Sequence, residues 1–331
     1  MSRFFMNERE TLVEQALEGL VEAHGGLVDV HTDPLFVTRQ TPARGKVALL
    51  SGGGSGHEPL HTGFVGTGML DAAVPGDVFA SPTALQVRAA IQAVDTGEGA
   101  LMVVKNYTGD VLNFSIAAEL LSDTHRVEQV LVDDDLATQK EDEGGPGRRG
   151  TAAVVAVEKI CGAAAEAGAP LDEVRDLGRD VVARSATLGV SFEACTNPMT
   201  GLRSFDLEPG EMEFGVGIHG ERGIETRSTT DAAALVDSLV APLMDTLGLR
   251  RGDTVLTIVN GLGATHGLEL GVAARETRRV LDGAGIGVVR SLVGPYVTSL
   301  DMKGLSITLI AMTDDLVKFW DAPVRTPALA W

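Results

Sequence analysis

Apolar positions along the chain follow two periods. From Asn7 onward Leu12, Val13, Ala16, Leu17, Leu20 and Val21 recur at helical spacing, and Gly25-Gly26 end the run. The apolar run Val47–Leu50 marks a buried strand, Lys46–Leu50, and it delivers Ser51-Gly52-Gly53-Gly54. Further short strands are expected near Asp71–Phe79, at Ala100–Val104 and at Val127–Val132. Ser81-Pro82 supply an N-cap and a first-turn proline for a helix to about Val94, and Val111–Leu121 is a second helix. The polar stretch Gln139–Gly150 reads as a long mobile loop, and helices at Thr151–Ala167 and Leu171–Thr187 follow it.

After about Gly189 the alternation loosens. Strands at Val190–Ala194 and Phe214–Ile218 arrive without an intervening helix, separated by the turn-rich Asn197–Gly210. A helix (Asp231–Leu247), a strand (Thr254–Asn260), a helix (His266–Leu281) and strands at Ile286–Val293 and Leu305–Met312 complete the chain. The pattern implies an α/β protein of two domains. The first, residues 1–188, is a mainly parallel sheet with helices on both faces; the second, residues 189–331, is a smaller mixed sheet.

Composition narrows the function. A net charge of −19 and 4% aromatic residues exclude a phosphate-backbone footprint and a base-stacking platform, so no nucleic-acid partner is expected. No apolar run approaches the ~20 residues that span a bilayer. The N-terminal MSRFFMNERE lacks a signal core, and a cytoplasmic protein without a membrane partner is expected. Cys161 and Cys195 form no metal-ligand or redox spacing and are expected to be buried fillers.

The candidate chemistry gathers at strand ends. Gly52, Gly53 and Gly54 are expected to free the backbone for positive φ and close approach to a ligand, with His57 and His61 just beyond. The run is neither a P-loop nor a dinucleotide fingerprint, because Gly56-His57 stands where a lysine or the third glycine belongs. A tight turn without a ligand is the alternative reading. Lys105 and Asp110 follow the next strand, as a cation and a carboxylate able to grip hydroxyls, or as a solvated charge and a helix cap. His219 stands between Gly217-Ile218 and Gly220 at the end of a strand, with a ring open to a small electrophile. His61 is a supporting candidate for the same pocket and His266 ranks below it.

SGGGSGHEP with HTGFVGTGMLDAAVPGDVFASPT, then VKNYTGDVLNF, GRRG and GVGIHGERG, closely resembles the substrate-binding K unit of the dihydroxyacetone kinases, in order and across nearly the whole chain. The resemblance implies a phosphotransferase subunit in which His219 attacks a ketose carbonyl through Nε2 to form a hemiaminal. It implies that Gly54, Ser55, Gly56, His57, Lys105 and Asp110 hold the hydroxyls, with His57 and Asp110 acting on the hydroxyl that accepts phosphate. The family's magnesium-binding DGDTGTN-type motif does not occur here, so the resemblance implies the split form. No cofactor or metal is expected on this chain. Mg²⁺ and ADP or ATP are expected on a helical L-type partner, in many bacteria recharged by the phosphotransferase system, and the chain itself is expected to be a homodimer. A kinase subunit for a four-carbon ketose such as erythrulose, and a non-enzymatic ketose-sensing transcriptional coactivator, are the competing readings.

Overall fold

The computed structural model describes residues 4–139 and 147–331. Residues 140–146, the middle of the segment expected as a mobile loop, lie outside the described residues. In chain order the elements are α1 (Leu12–His24), β1 (Val28–Thr32), β2 (Leu35–Arg39), β3 (Ala48–Ser55), β4 (Ala72–Val78), α2 (Ala84–Val94), β5 (Ala100–Lys105), α3 (Thr108–Leu121) and β6 (Val127–Val132). The helices α4 (Ala153–Glu166) and α5 (Leu171–Ala183) follow, then β7 (Ser185–Glu193), β8 (Glu211–Phe214), β9 (Glu225–Ser228) and α6 (Ala232–Thr246). Last come β10 (Thr254–Gly261), α7 (Gly267–Ala284), β11 (Gly287–Gly294), β12 (Lys303–Ala311) and α8 (Asp314–Asp321).

Two sheets of six described strands each carry the molecule, in the orders β1-β2-β4-β3-β5-β6 and β11-β10-β12-β7-β8-β9. β4, β3, β5 and β6 run parallel, and the β1–β2 hairpin is added antiparallel beside β4. The two central strands are buried on both faces, so their side chains sort by parity rather than by polarity. Ala48, Leu50, Met102 and Val104 pack with residues of α2 and α3; Leu49, Leu101 and Val103 pack with residues of α4 and α5. The second sheet is antiparallel except for β10–β11, and α6 and α7 cover one face of it.

α4 lies between the sheets, contacting β3, β5 and β7, and every residue from Ala153 to Ala165 is buried. Its start is fixed by Asp134, whose carboxylate accepts from the Thr151 amide (2.6 Å), the Thr151 hydroxyl (2.8 Å) and the Ala153 amide (3.0 Å). That carboxylate satisfies amides which the first turn of a helix leaves unpaired. α8 packs on α4, and the residues after it return to the first sheet, where Arg325 bridges Thr67.

Several expectations need correction. The β1–β2 hairpin was not foreseen: VDVHT and LFVTR are short, and only Asp33-Pro34 separates them. The helix expected to reach Thr187 ends at Ala183, where Ser185 begins a strand of the second sheet. The second sheet is not smaller, having six strands like the first. The cap of α2 is Thr83 rather than Ser81, through a capping box with Gln86. Gly52, Gly53 and Gly54 belong to β3, and the left-handed backbone falls on Gly56 (φ 104°) instead. Cys161 and Cys195 are free thiols, both buried.

Candidate functional site

β3, β5 and the turn before α3 bring the first half of the site together at one sheet edge. Lys105, the last residue of β5, is completely buried, and its Nζ lies against the backbone of β3, 3.4 Å from the Gly52 carbonyl. A Cβ on Gly53 would stand 2.5 Å from that Nζ. Glycine at position 53 is therefore required for close approach to the ammonium, and not for an unusual φ. Asp110 sits in the first turn of α3 rather than capping it, with Oδ2 4.0 Å from Lys105 Nζ. Burial raises the Asp110 carboxyl above its ordinary range, against the pull of Lys105 and a hydrogen bond from Ser81. Burial also lowers the Lys105 amine, against the pull of Asp110 and Glu158.

His57 follows the turn at Gly56. Its Nδ1 donates to the carbonyl of Thr298 at 2.7 Å, a bond from one half of the chain to the other. Phe79 stacks on the ring at a centroid distance of 5.1 Å and is itself in the left-handed region (φ 57°), a conformation costly for a bulky residue. Burial, aided by Lys105, holds the His57 pKa down to about 3. The ring is therefore neutral, and with Nδ1 carrying the hydrogen its Nε2 presents a lone pair.

His219 arrives from the second half of the chain, in the loop after β8 rather than at a strand end as expected. Its Nε2 lies 3.2 Å from His57 Nε2, with the rings edge-on (85°). Tyr107 packs against it at 4.2 Å between centroids. Burial first, then His57, Lys105 and Arg149, keep the His219 ring neutral. Two facing lone pairs would repel at this separation, so His219 Nε2 carries a hydrogen and donates it to His57. His219 Nδ1 and Asp110 Oδ1 are both buried without a hydrogen-bond partner among the described residues.

A row of charges fixes the His219 loop. Asp135, just beyond β6, pairs with Arg149 at 2.7 Å; Arg149 pairs with Glu221 at 3.0 Å and donates to the Gly215 carbonyl at 2.9 Å. Glu221 then accepts from the backbone amide of His219 at 2.7 Å. The Cβ of any other residue at Gly217 would lie 2.0 Å from Glu221 Oε1. Arg149 belongs to the GRRG stretch and Glu221 to GVGIHGERG, so both motifs were noticed while their contact was not.

Of the remaining candidates, Gly54, Ser55 and Gly56 run along the same edge, with the Ser55 hydroxyl turned to the Gly76 carbonyl at 2.7 Å. His61 is buried behind Lys105, bonded to it at 2.7 Å. His266 lies outside the site: it begins α7, where its side chain is 64% exposed. Phe79, Tyr107, Thr298 and Glu158 were not singled out from sequence. The first two carried no signal beyond lying in motif stretches, and Thr298 acts through its backbone. A cavity of about 750 Å³ opens beside the glycine run, walled by the apolar face of α1 and by residues such as Gly54, Leu60, Pro327 and Ala328. The His57–His219 pair is not part of that wall.

Comparison with known proteins adds four findings. The model of the Dak1 domain matches residues 18–328. The PEP-dependent dihydroxyacetone kinase, dihydroxyacetone-binding subunit DhaK, of Escherichia coli K12 is 45% identical, with 98% of each chain covered. Among solved structures, the dihydroxyacetone kinase of C. freundii superposes with a TM-score of 0.88 at 37% identity, over 99% of this chain and 60% of that one. A dihydroxyacetone kinase operon co-activator, Dha-DhaQ, superposes with a TM-score of 0.89 at 31% identity, over 95% of this chain and 97% of that one.

Proposed function

This chain belongs to the Dak1 domain family, and from that premise we propose that it is the dihydroxyacetone-binding subunit of a split dihydroxyacetone kinase. It holds the ketose covalently on His219 and presents a hydroxyl to a phosphoryl donor carried by a second, nucleotide-binding subunit. The observation that carries this reading is the 3.2 Å contact between His57 and His219, neutral imidazoles 162 positions apart in sequence. Beside them lies a buried carboxylate–ammonium pair, Asp110 and Lys105.

The chemistry follows from the hydrogen positions. The ketose carbonyl carbon takes the place of the His219 hydrogen: His219 Nε2 passes it to His57 Nε2 and bonds to carbon. The C=O π pair moves onto oxygen, and His57 returns the hydrogen there. The product is a neutral hemiaminal, and no water leaves. His219 Nδ1 neither gains nor loses a proton, in keeping with its lack of a partner. With a pKa near 3, His57 holds the proton only in passing. Asp110, raised by burial, then accepts the terminal hydroxyl proton as oxygen attacks the phosphoryl group, and Lys105 beside it offsets the negative charge.

The donor, on this reading, is a magnesium nucleotide on the partner, recharged through the phosphotransferase system. The subunit acts in the cytoplasm as a homodimer; among the described residues no helix is long and apolar enough to cross a membrane. The co-activator similarity favours a second reading, a ketose sensor without turnover. A reconstituted assay separates the two. The chain alone with ATP and dihydroxyacetone gives no ketose phosphate, and adding a helical nucleotide-carrying subunit gives turnover. Turnover without any partner overturns the split reading, and adduct formation without turnover in the presence of every candidate partner supports the sensor.

A further inference from the structure

The site as described leaves two buried ionisable groups without a task. Glu158 projects from the middle of α4, with no exposure of its side chain, and its Oε1 lies 2.6 Å from Nδ1 of His61. The other ring nitrogen of His61, Nε2, lies 2.7 Å from Lys105 Nζ. Lys105 Nζ is in turn 4.0 Å from Asp110 Oδ2. The four groups form a row, Asp110–Lys105–His61–Glu158, running from the hydroxyl-binding edge into the interior. Glu158 Oε2 and Asp110 Oδ1, one at each end, have no hydrogen-bond partner among the described residues.

Hydrogen-bond bookkeeping gives this row two states that differ by one proton moved between its ends. His61 is neutral, because burial and the positive charge of Lys105 hold its pKa well below the ordinary value. A neutral imidazole has one N–H and one lone pair. When Lys105 is an ammonium it donates to Nε2, so the ring hydrogen is on Nδ1 and Glu158 Oε1 accepts it, best as a carboxylate whose charge offsets that of Lys105. When Glu158 is protonated it donates to Nδ1, so the ring hydrogen is on Nε2 and Lys105 must be the neutral amine. Moving between the states shifts one proton at each end and flips the tautomer, with no net uptake from solvent.

We propose that Glu158 and His61 are positioning residues that set the charge of Lys105, and through it the basicity of Asp110. The inference rests on the functional reading above and names the control of that same site. With Asp110 ionised, the row holds its proton on Lys105, where the cation faces the carboxylate. Once Asp110 has taken the substrate hydroxyl proton, the adjacent cation loses its counter-charge and the proton returns along His61 to Glu158. Burial raises the Glu158 carboxyl to about 8 and lowers the Lys105 amine, and the two shifts toward each other favour such an exchange. The other titratable groups facing the row are His57 and His219, both neutral, and Cys161, whose thiol is pushed up to about 12. None of the three changes charge in the range of an activity assay.

The test uses the full chain with its phosphoryl-donating partner. Glu158→Gln keeps the acceptor for His61 and removes the carboxylate charge that helps hold the proton on Lys105, so Lys105 is a weaker cation and Asp110 titrates higher. The acid limb of the kcat–pH profile is expected to move up by about one unit, while mass spectrometry still detects the ketose adduct. A uniform fall in kcat without a moved limb overturns the proposal. If this variant does not fold, ¹⁵N-histidine spectra of the wild type and of Asp110→Asn decide, since both retain Glu158. At pH 9, above the Glu158 pKa of about 8, the wild-type His61 is expected to carry its hydrogen on Nδ1, and removing the Asp110 charge to move it to Nε2; the same tautomer in both overturns the relay. Failure of the functional reading is distinguishable, because it appears as an inactive wild-type pair whatever the tautomers of His61.

Discussion

On the proposed reading, two residues of the site divide binding from transfer. His219 needs only a proton acceptor for its Nε2 hydrogen, and His57 supplies it at 3.2 Å. Asp110 is not in that exchange. Asp110→Asn therefore leaves adduct formation intact in a mass measurement and lowers turnover by ~10²–10⁴, the usual contribution of a general base; loss of the adduct along with turnover would make Asp110 a binding group. His57 also marks the pH dependence of stability. Its folded pKa of about 3 lies below the ordinary 6.5, so its contribution is whole above pH 6.5 and is lost as pH falls toward 3. Relative to His57→Gln, the wild type is expected to lose about 2 kcal/mol of unfolding free energy between pH 7.5 and 5. The difference between the two urea curves is the quantity to read, because the raised carboxyls of Asp110 and Glu158 act in the opposite direction. A pH-independent difference would contradict the burial of a neutral His57.

At the scale of elements, α4 and the loop after β8 do what single residues cannot. Asp134 fixes the first turn of α4 between the sheets, and that places Glu158 behind Lys105. Arg149 joins Asp135 to Glu221, and so sets the His219 loop against the first sheet. Arg149 is 14% exposed, and removing it leaves two carboxylates facing each other without a cation. Arg149→Met is expected to lower stability by about 3 kcal/mol and to reduce adduct occupancy at fixed ketose concentration. Retained stability and occupancy would show the charge row to be incidental. The sequence made the strand-borne part of this legible: β3 opens on an apolar run, β5 is apolar up to Lys105 and β6 ends on one, and Lys105, Asp110, His57 and His219 stand in glycine-rich stretches at or beyond strand ends. It did not show which of its acidic residues meet which cations. Pairing of Asp135, Arg149 and Glu221 is a long-range event with no local period. Glu158 stands beside Lys159 in an otherwise apolar stretch of α4, where a pair of charges reads as the solvent side until the second sheet is seen to cover it. The glycines at 52–54 misled for a related reason: the close approach of Lys105, invisible in sequence, excludes a Cβ at position 53 without requiring positive φ.

The whole molecule joins the two sheets across one site. One core cluster spans the junction, since Leu49 and Val103 of the first sheet share it with Leu256 and Ile310 of the second and with Trp320 and Val324 after them. His57 and Thr298 are bonded across the same junction, so the histidine pair exists only when both halves are folded and docked. A rigid junction of this kind suits covalent capture of a substrate too small to be gripped by many contacts. The central claim is that capture, and intact-mass measurement of the chain with dihydroxyacetone tests it directly. The account predicts an increase equal to the full mass of the ketose, absent in His219→Ala and absent when glycerol, which has no carbonyl, replaces the ketose. An increase short by one water, as a lysine Schiff base would give, or an adduct that survives in His219→Ala, would contradict it.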